Sequence, residues 1–155
     1  MAEQEKHTFP KTERLSSVIL IEKLFAGGSK SLPAFPLRIV YMPVEGEELP
    51  AVSVLISVPK KRFKRAVKRN RVKRQIREAY RKNKHGLLRV LQEEGRQLAV
   101  AFIYLSDRLV DSVEIEERMK IALARITEKV LADVAVQKVG EDAASAEKTG
   151  SAGRS

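Results

Sequence analysis

Residues 51–81 read Ala-Val-Ser-Val-Leu-Ile-Ser-Val-Pro-Lys-Lys-Arg-Phe-Lys-Arg-Ala-Val-Lys-Arg-Asn-Arg-Val-Lys-Arg-Gln-Ile-Arg-Glu-Ala-Tyr-Arg. Residues 51–58 set Val52, Val54, Ile56 and Val58 on one face and Ser53, Leu55 and Ser57 on the other. That period of two makes a strand with two different faces. No proline or glycine interrupts residues 60–85, and most are good helix formers, so a basic helix follows the strand. On a 3.6-residue wheel Val72, Ile76, Ala79 and Tyr80 gather on one side. Asn70, Arg74, Arg77 and Arg81 line the far side, with Arg71 nearby. The helix should dock by its narrow apolar face and display a ridge of guanidinium groups.

Downstream, residues 86–95 read as a second short helix ended by Gly95. Residues 97–105 (QLAVAFIYL) are almost wholly apolar and suit a strand buried on both faces. Asp111 and Glu114 resemble a capping box and open a helix burying Ile115, Met119, Leu123, Ile126 and Val130. Upstream, residues 15–25 place Leu15, Val18, Ile19, Ile21, Leu24 and Phe25 at helical spacing, ended by Gly27-Gly28. A Pro-punctuated loop leads to a half-buried strand at Leu37, Ile39 and Tyr41, and residues 43–50 form an acidic turn. The order is α-β-β-(β)-α-β-α. It implies an α+β chain folded as a single α/β sandwich, a four-stranded mixed sheet with helices packed on it. Residues 1–13 read as a flexible N-terminal arm, 14–133 as the one folded domain and 134–155, small and polar, as a disordered tail.

The 155 residues suit one domain. The formal charge of +10 is unevenly spread. Residues 60–84 hold 14 basic residues against one acid, Glu78, while the rest of the chain holds 16 basic against 19 acidic. The window therefore carries +13 and the remainder −3, so the partner is a polyanion met at a single surface. A solvated helix normally mixes signs and gains from i,i+4 pairs, which this one cannot. A membrane-surface helix needs large apolar residues on its lipid face, and the few here belong to the core. A helix-turn-helix needs a partner helix upstream, where a strand sits instead. Arg forks suit phosphate and bases, which favours nucleic acid as the partner, and the missing helix weakens the DNA reading.

Much chemistry is excluded. The chain has no Cys, hence no disulfide framework, thiol nucleophile or Cys-ligated metal. His7 and His85 have no partner at metal spacing and read as surface residues. Phosphate-loop, serine-hydrolase and zinc-protease spacings are missing. No catalytic residue and no metal ligand is predicted. Residues 1–14 contain no apolar signal segment, and no apolar run approaches the ~20 residues of a spanning helix; the expected setting is cytoplasmic, without a membrane partner.

Ser57-Val58-Pro59-Lys60-Lys61, followed by Arg69-Asn70-Arg71-Val72-Lys73-Arg74-Gln75-Ile76-Arg77-Glu78, resembles the signature of the bacterial ribonuclease P protein component. The likeness extends more weakly over residues 14–131. It implies a small basic protein that joins a catalytic RNA, with no obligate protein partner, to remove the 5′ leader of precursor tRNA. The RNA would hold the Mg²⁺ ions and carry the chemistry. The resemblance implies that Lys60, Lys61, Arg69, Asn70, Arg71, Lys73, Arg74, Arg77 and Arg81 face RNA. It implies a cleft for the single-stranded leader near Ile21, Phe25, Val40 and Tyr41, for which ordinary core packing is the other reading. It also implies a left-handed β-α-β crossover around the basic helix, although about 98% of such crossovers are right-handed. Arg62-Phe63-Lys64-Arg65-Ala66-Val67 departs from the family's glycine-containing stretch and is one residue longer, so a different turn should lead into the helix. A ribosomal or ribosome-assembly protein with a similar helix is the alternative function.

Overall fold

The alternation of residues 51–58 becomes a strand at the edge of a sheet, and the apolar run after it becomes the sheet's centre. A computed structural model describes residues 14, 15, 17–27, 29–46 and 49–152, with side chains up to Gly140 apart from Val18. In chain order the elements are α1 (Val18–Phe25), β1 (Lys30–Ala34), β2 (Leu37–Val44), β3 (Val52–Ser57), α2 (Ala66–Asn83), α3 (His85–Glu94), β4 (Gln97–Tyr104) and α4 (Ser112–Ala152). The strands lie in the order β1-β2-β4-β3. β4 pairs antiparallel with β2, from Leu37↔Tyr104 to Val44↔Gln97, and parallel with β3, from Val52↔Leu98 to Ser57↔Ile103. A strand flanked on both sides and covered on both faces has no polar face to offer. That is why residues 97–104 are apolar throughout.

The sheet separates two apolar clusters. On one face Ile39, Val54, Val100 and Phe102 meet Val72, Ile76, Ala79 and Tyr80 of α2, Leu87 and Leu91 of α3, and Ile115, Met119, Leu123, Ile126 and Val130 of α4. Each such Val, Leu or Ile contributes about 1.5–3 kcal/mol when fully withdrawn from water. On the other face Val40, Val44, Ala99 and Ala101 pack with Leu15 and Leu24 from the N-terminal side. The α+β sandwich, its four-stranded mixed sheet and every core position expected of α2 and α4 are present.

Four details differ from the sequence expectation. The additional strand is Lys30–Ala34, inside the segment read as a loop. It is an edge strand of five residues carrying Pro33, with only Leu32 buried, so it shows no alternation. Leu15 is buried ahead of α1, and its N–H donates to the Val54 carbonyl at 2.7 Å. α2 begins at Ala66 and not at residue 60, because Phe63 is drawn into the core and turns the chain before the helix can start. α4 continues through residues read as a disordered tail: Val134, one turn beyond Val130, is buried and extends the apolar stripe. The expected N-terminal arm, residues 1–13, lies outside the described residues.

Candidate nucleic-acid interface

The buried side of α2 fixes what its opposite side shows. With Val72, Ile76, Ala79 and Tyr80 against the sheet, Asn70, Arg71 and Arg74 are exposed, and Lys73 and Arg77 are half-buried. Among the described residues no carboxylate lies within ion-pairing distance of Arg71, Lys73, Arg74 or Arg77. Gln75, between these cations, turns the other way. Its Nε2 donates to the Val110 carbonyl at 2.9 Å and to Ser112 Oγ at 3.1 Å. This ties the middle of α2 to the start of α4 and holds the ridge at a fixed angle to the sheet.

Two of the expected RNA-facing arginines are engaged within the protein. The Arg81 guanidinium pairs with Glu78, with Nε donating to Oε2 at 3.0 Å. The same hydrogen bond holds the Glu78 carboxyl below its ordinary range. Arg69 is half-buried, and its Nη1 donates to the carbonyls of Phe63 at 2.7 Å and Lys64 at 2.9 Å. Its guanidinium is turned to the two carbonyls of the chain before α2 and does not join the outward ridge.

The segment between β3 and α2 carries Lys60 and Lys61, both exposed and also without a carboxylate partner among the described residues. The segment itself is anchored. Phe63 is buried with its ring centroid 6.0 Å from that of Tyr104. The Tyr104 hydroxyl donates to the Arg108 carbonyl at 2.6 Å, and Arg62 pairs with Asp107 at 3.2 Å. Sequence reasoning missed this anchoring because Phe63 sits inside a run of cations. A lone aromatic in such a run is the signal that could have found it.

The four residues expected to form one cleft do not come together. Ile21 and Val40 share the α1 side of the sheet, and Phe25, on the same helix, is half-exposed at 49%. Tyr41 is the neighbour of Val40 on a strand, so it points to the opposite face and joins the α2–α4 core. There it borders a cavity of about 390 Å³ lined also by Lys30, Arg96 and Asp133. Its hydroxyl has no hydrogen-bond partner, and burial pushes its pKa up. Lys30 and Asp133 bridge at 2.7 Å across the same cavity. Among the described residues no three His, Asp or Glu side chains converge as a metal site, and no helix is long and apolar enough to cross a membrane.

The basic ridge thus sits on a helix that connects two parallel strands. The family model described as Ribonuclease P matches residues 9–127. The ribonuclease P protein component of Porphyromonas gingivalis is 47% identical over 120 residues, covering 77% of this chain and 87% of the relative. That of Chlorobaculum tepidum is 31% identical over 140 residues, covering 86% and 89%. Two solved structures share the fold. The RNase P protein of Staphylococcus aureus gives a TM-score of 0.53 at 18% identity, covering 74% of this chain and 94% of its own. That of Thermotoga maritima, solved with 1-(4-fluorophenyl)-2-thiourea, gives 0.51 at 22%, covering 68% and 92%. Matched in sequence over most of its length and in fold, the chain belongs to the ribonuclease P protein family, the protein partner of RNase P RNA in the endoribonuclease that processes tRNA.

Proposed function

We propose that the protein binds RNase P RNA through Asn70, Arg71, Lys73, Arg74 and Arg77 of α2 together with Lys60 and Lys61, and that the RNA carries out the hydrolysis. The observation behind this reading is the ridge itself. Like charges on one helix repel, and here Arg71, Lys73, Arg74 and Arg77 have no carboxylate partner among the described residues. An RNA backbone relieves that repulsion and releases its own counterions on binding, which makes the contact favourable and salt-sensitive. Because α2 is locked by its buried face and by Gln75, the ridge is formed before RNA arrives, and little ordering entropy is lost on docking.

In this reading the Mg²⁺ ions sit with the RNA. Protein cations set beside RNA phosphates reduce the charge that Mg²⁺ would otherwise have to offset. The α1 side of the sheet, with Ile21, Phe25 and Val40, is proposed to take the single-stranded leader of precursor tRNA. The exposed edge of Phe25 offers a surface on which an unpaired base can stack. A ribosomal or assembly protein does not account for the family match over residues 9–127.

The test is binding to RNase P RNA against a structured RNA of equal length. The expected result is clear preference for RNase P RNA with affinity falling steeply as salt rises. Equal affinity for both RNAs, or insensitivity to salt, contradicts the proposal.

A further inference from the structure

Arg69 opens the Arg-Asn-Arg triplet, yet its guanidinium is directed back at the chain preceding α2. A cation in the first turn of a helix opposes the helix dipole, and here Lys64, Arg65 and Lys68 are close in sequence. The N-cap, Arg65, supplies no side-chain hydrogen bond to the helix. Arg69 is nevertheless held in place by the carbonyls of Phe63 and Lys64. The segment they belong to is also pinned by the buried Phe63 ring against Tyr104 and by the Arg62–Asp107 pair. A turn within it closes with the Arg62 N–H donating to the Pro59 carbonyl at 3.0 Å. What these restraints leave outside is a cluster of four exposed cations: Lys60, Lys61, Lys64 and Arg65.

We infer that Arg69 is a positioning residue. It does not itself bind RNA but fixes residues 59–65 as a platform on which Lys60, Lys61, Lys64 and Arg65 grip successive phosphates. The platform is a second contact beside the α2 ridge, and Lys64 and Arg65 lie outside the triplet-bearing helix. The inference rests on the proposed RNA-binding function. It divides the cations of this region into two roles. Those turned outward bind phosphate, and the one turned inward holds the others at the right spacing.

A double-mutant cycle separates the two roles. The variants are R69A, a loop variant with Lys60, Lys61, Lys64 and Arg65 all replaced by Ala, and their combination, measured for affinity to RNase P RNA at fixed salt. R69A is expected to weaken binding by about tenfold, since a charged hydrogen-bonding group is lost. In the loop-variant background the same substitution should cost less than about twofold, because the groups it positions are gone. In the free protein, R69A should speed amide exchange at residues 62–66 at least about tenfold while residues 76–80 keep their protection. The inference is overturned if the loss from R69A persists undiminished in the loop-variant background, which marks an independent phosphate contact. It is equally overturned if exchange at residues 62–66 is unchanged. Failure of the unmodified protein to prefer RNase P RNA would instead overturn the proposed function, and the exchange result would still decide whether Arg69 holds the loop.

Discussion

Replacing Arg71 and Arg74 with Ala tests the ridge quantitatively. Both side chains are exposed, and neither has a carboxylate partner among the described residues. Six cations make up the proposed contact: Lys60, Lys61, Arg71 and Arg74, which are exposed, and Lys73 and Arg77, which are half-buried. Each phosphate neutralised contributes about −0.9 to the slope of log affinity against log salt on a duplex, so six contacts give a slope of about −5.4 and four give about −3.6. Between about 50 and 200 mM salt the unmodified protein should lose about 1,800-fold in affinity and the double variant about 150-fold. The assay is filter binding to RNase P RNA across that range. Exposed substitutions of this kind change stability by no more than about 0.5 kcal/mol, so thermal unfolding should be unaltered. Arg118 and Arg125, exposed on α4, serve as controls whose replacement leaves the slope in place. An unchanged slope in the double variant, or an equal flattening in the controls, refutes the assignment of the ridge.

Glu78→Gln releases Arg81 and removes the one acid of the basic window. It should tighten RNA binding several-fold and steepen the salt slope by about 0.9, whereas weaker binding would show that the Glu78–Arg81 pair is needed on the RNA-facing side. Tyr104→Phe gives up the 2.6 Å bond to the Arg108 carbonyl and should cost about 1 kcal/mol in a urea titration; Tyr41→Phe removes a buried hydroxyl without a partner and should be neutral or stabilising by about 1 kcal/mol. The reverse order would contradict the hydrogen-bond assignment. Burial raises both phenols above their ordinary range, so their contribution is complete below the ordinary tyrosine pKa and lost as pH rises through the raised values. Stability should therefore decline above about pH 10, and less steeply in Tyr41→Phe. Val134→Ala should cost about 1.5 kcal/mol from two lost methyl groups. An unchanged midpoint would mean that the helix beyond residue 133 does not contribute to the core.

The parts of the fold that could be read in the sequence were those governed by a period. β3 alternates because one face meets α2 and the other faces the α1 side. The stripes of α2 and α4 repeat every three to four residues because each helix buries one side. β4 is apolar throughout because neighbours surround it. The parts that were hidden depend on contacts far away in sequence. β1 is held by its pairing with β2, not by any pattern of its own. Val40 and Tyr41 are adjacent on β2 and point to opposite faces, so the alternation itself argues against placing both in one cleft. The inward turn of Arg69 depends on the Phe63 and Lys64 carbonyls, whose positions no periodic pattern reveals. A helical wheel treats all arginines of a run alike and cannot show which of them the protein keeps for itself.

The central claim is that the protein offers a preformed cationic surface to a catalytic RNA and performs no scission. Reconstitution with RNase P RNA on leader-bearing precursor tRNA measures this directly, with Mg²⁺ held too low for the RNA alone. The account predicts no cleavage by the protein alone, none by the RNA alone at that Mg²⁺ concentration, and accurate leader removal by the two together. Cleavage by the protein without RNA, or no gain on adding it, would contradict the account.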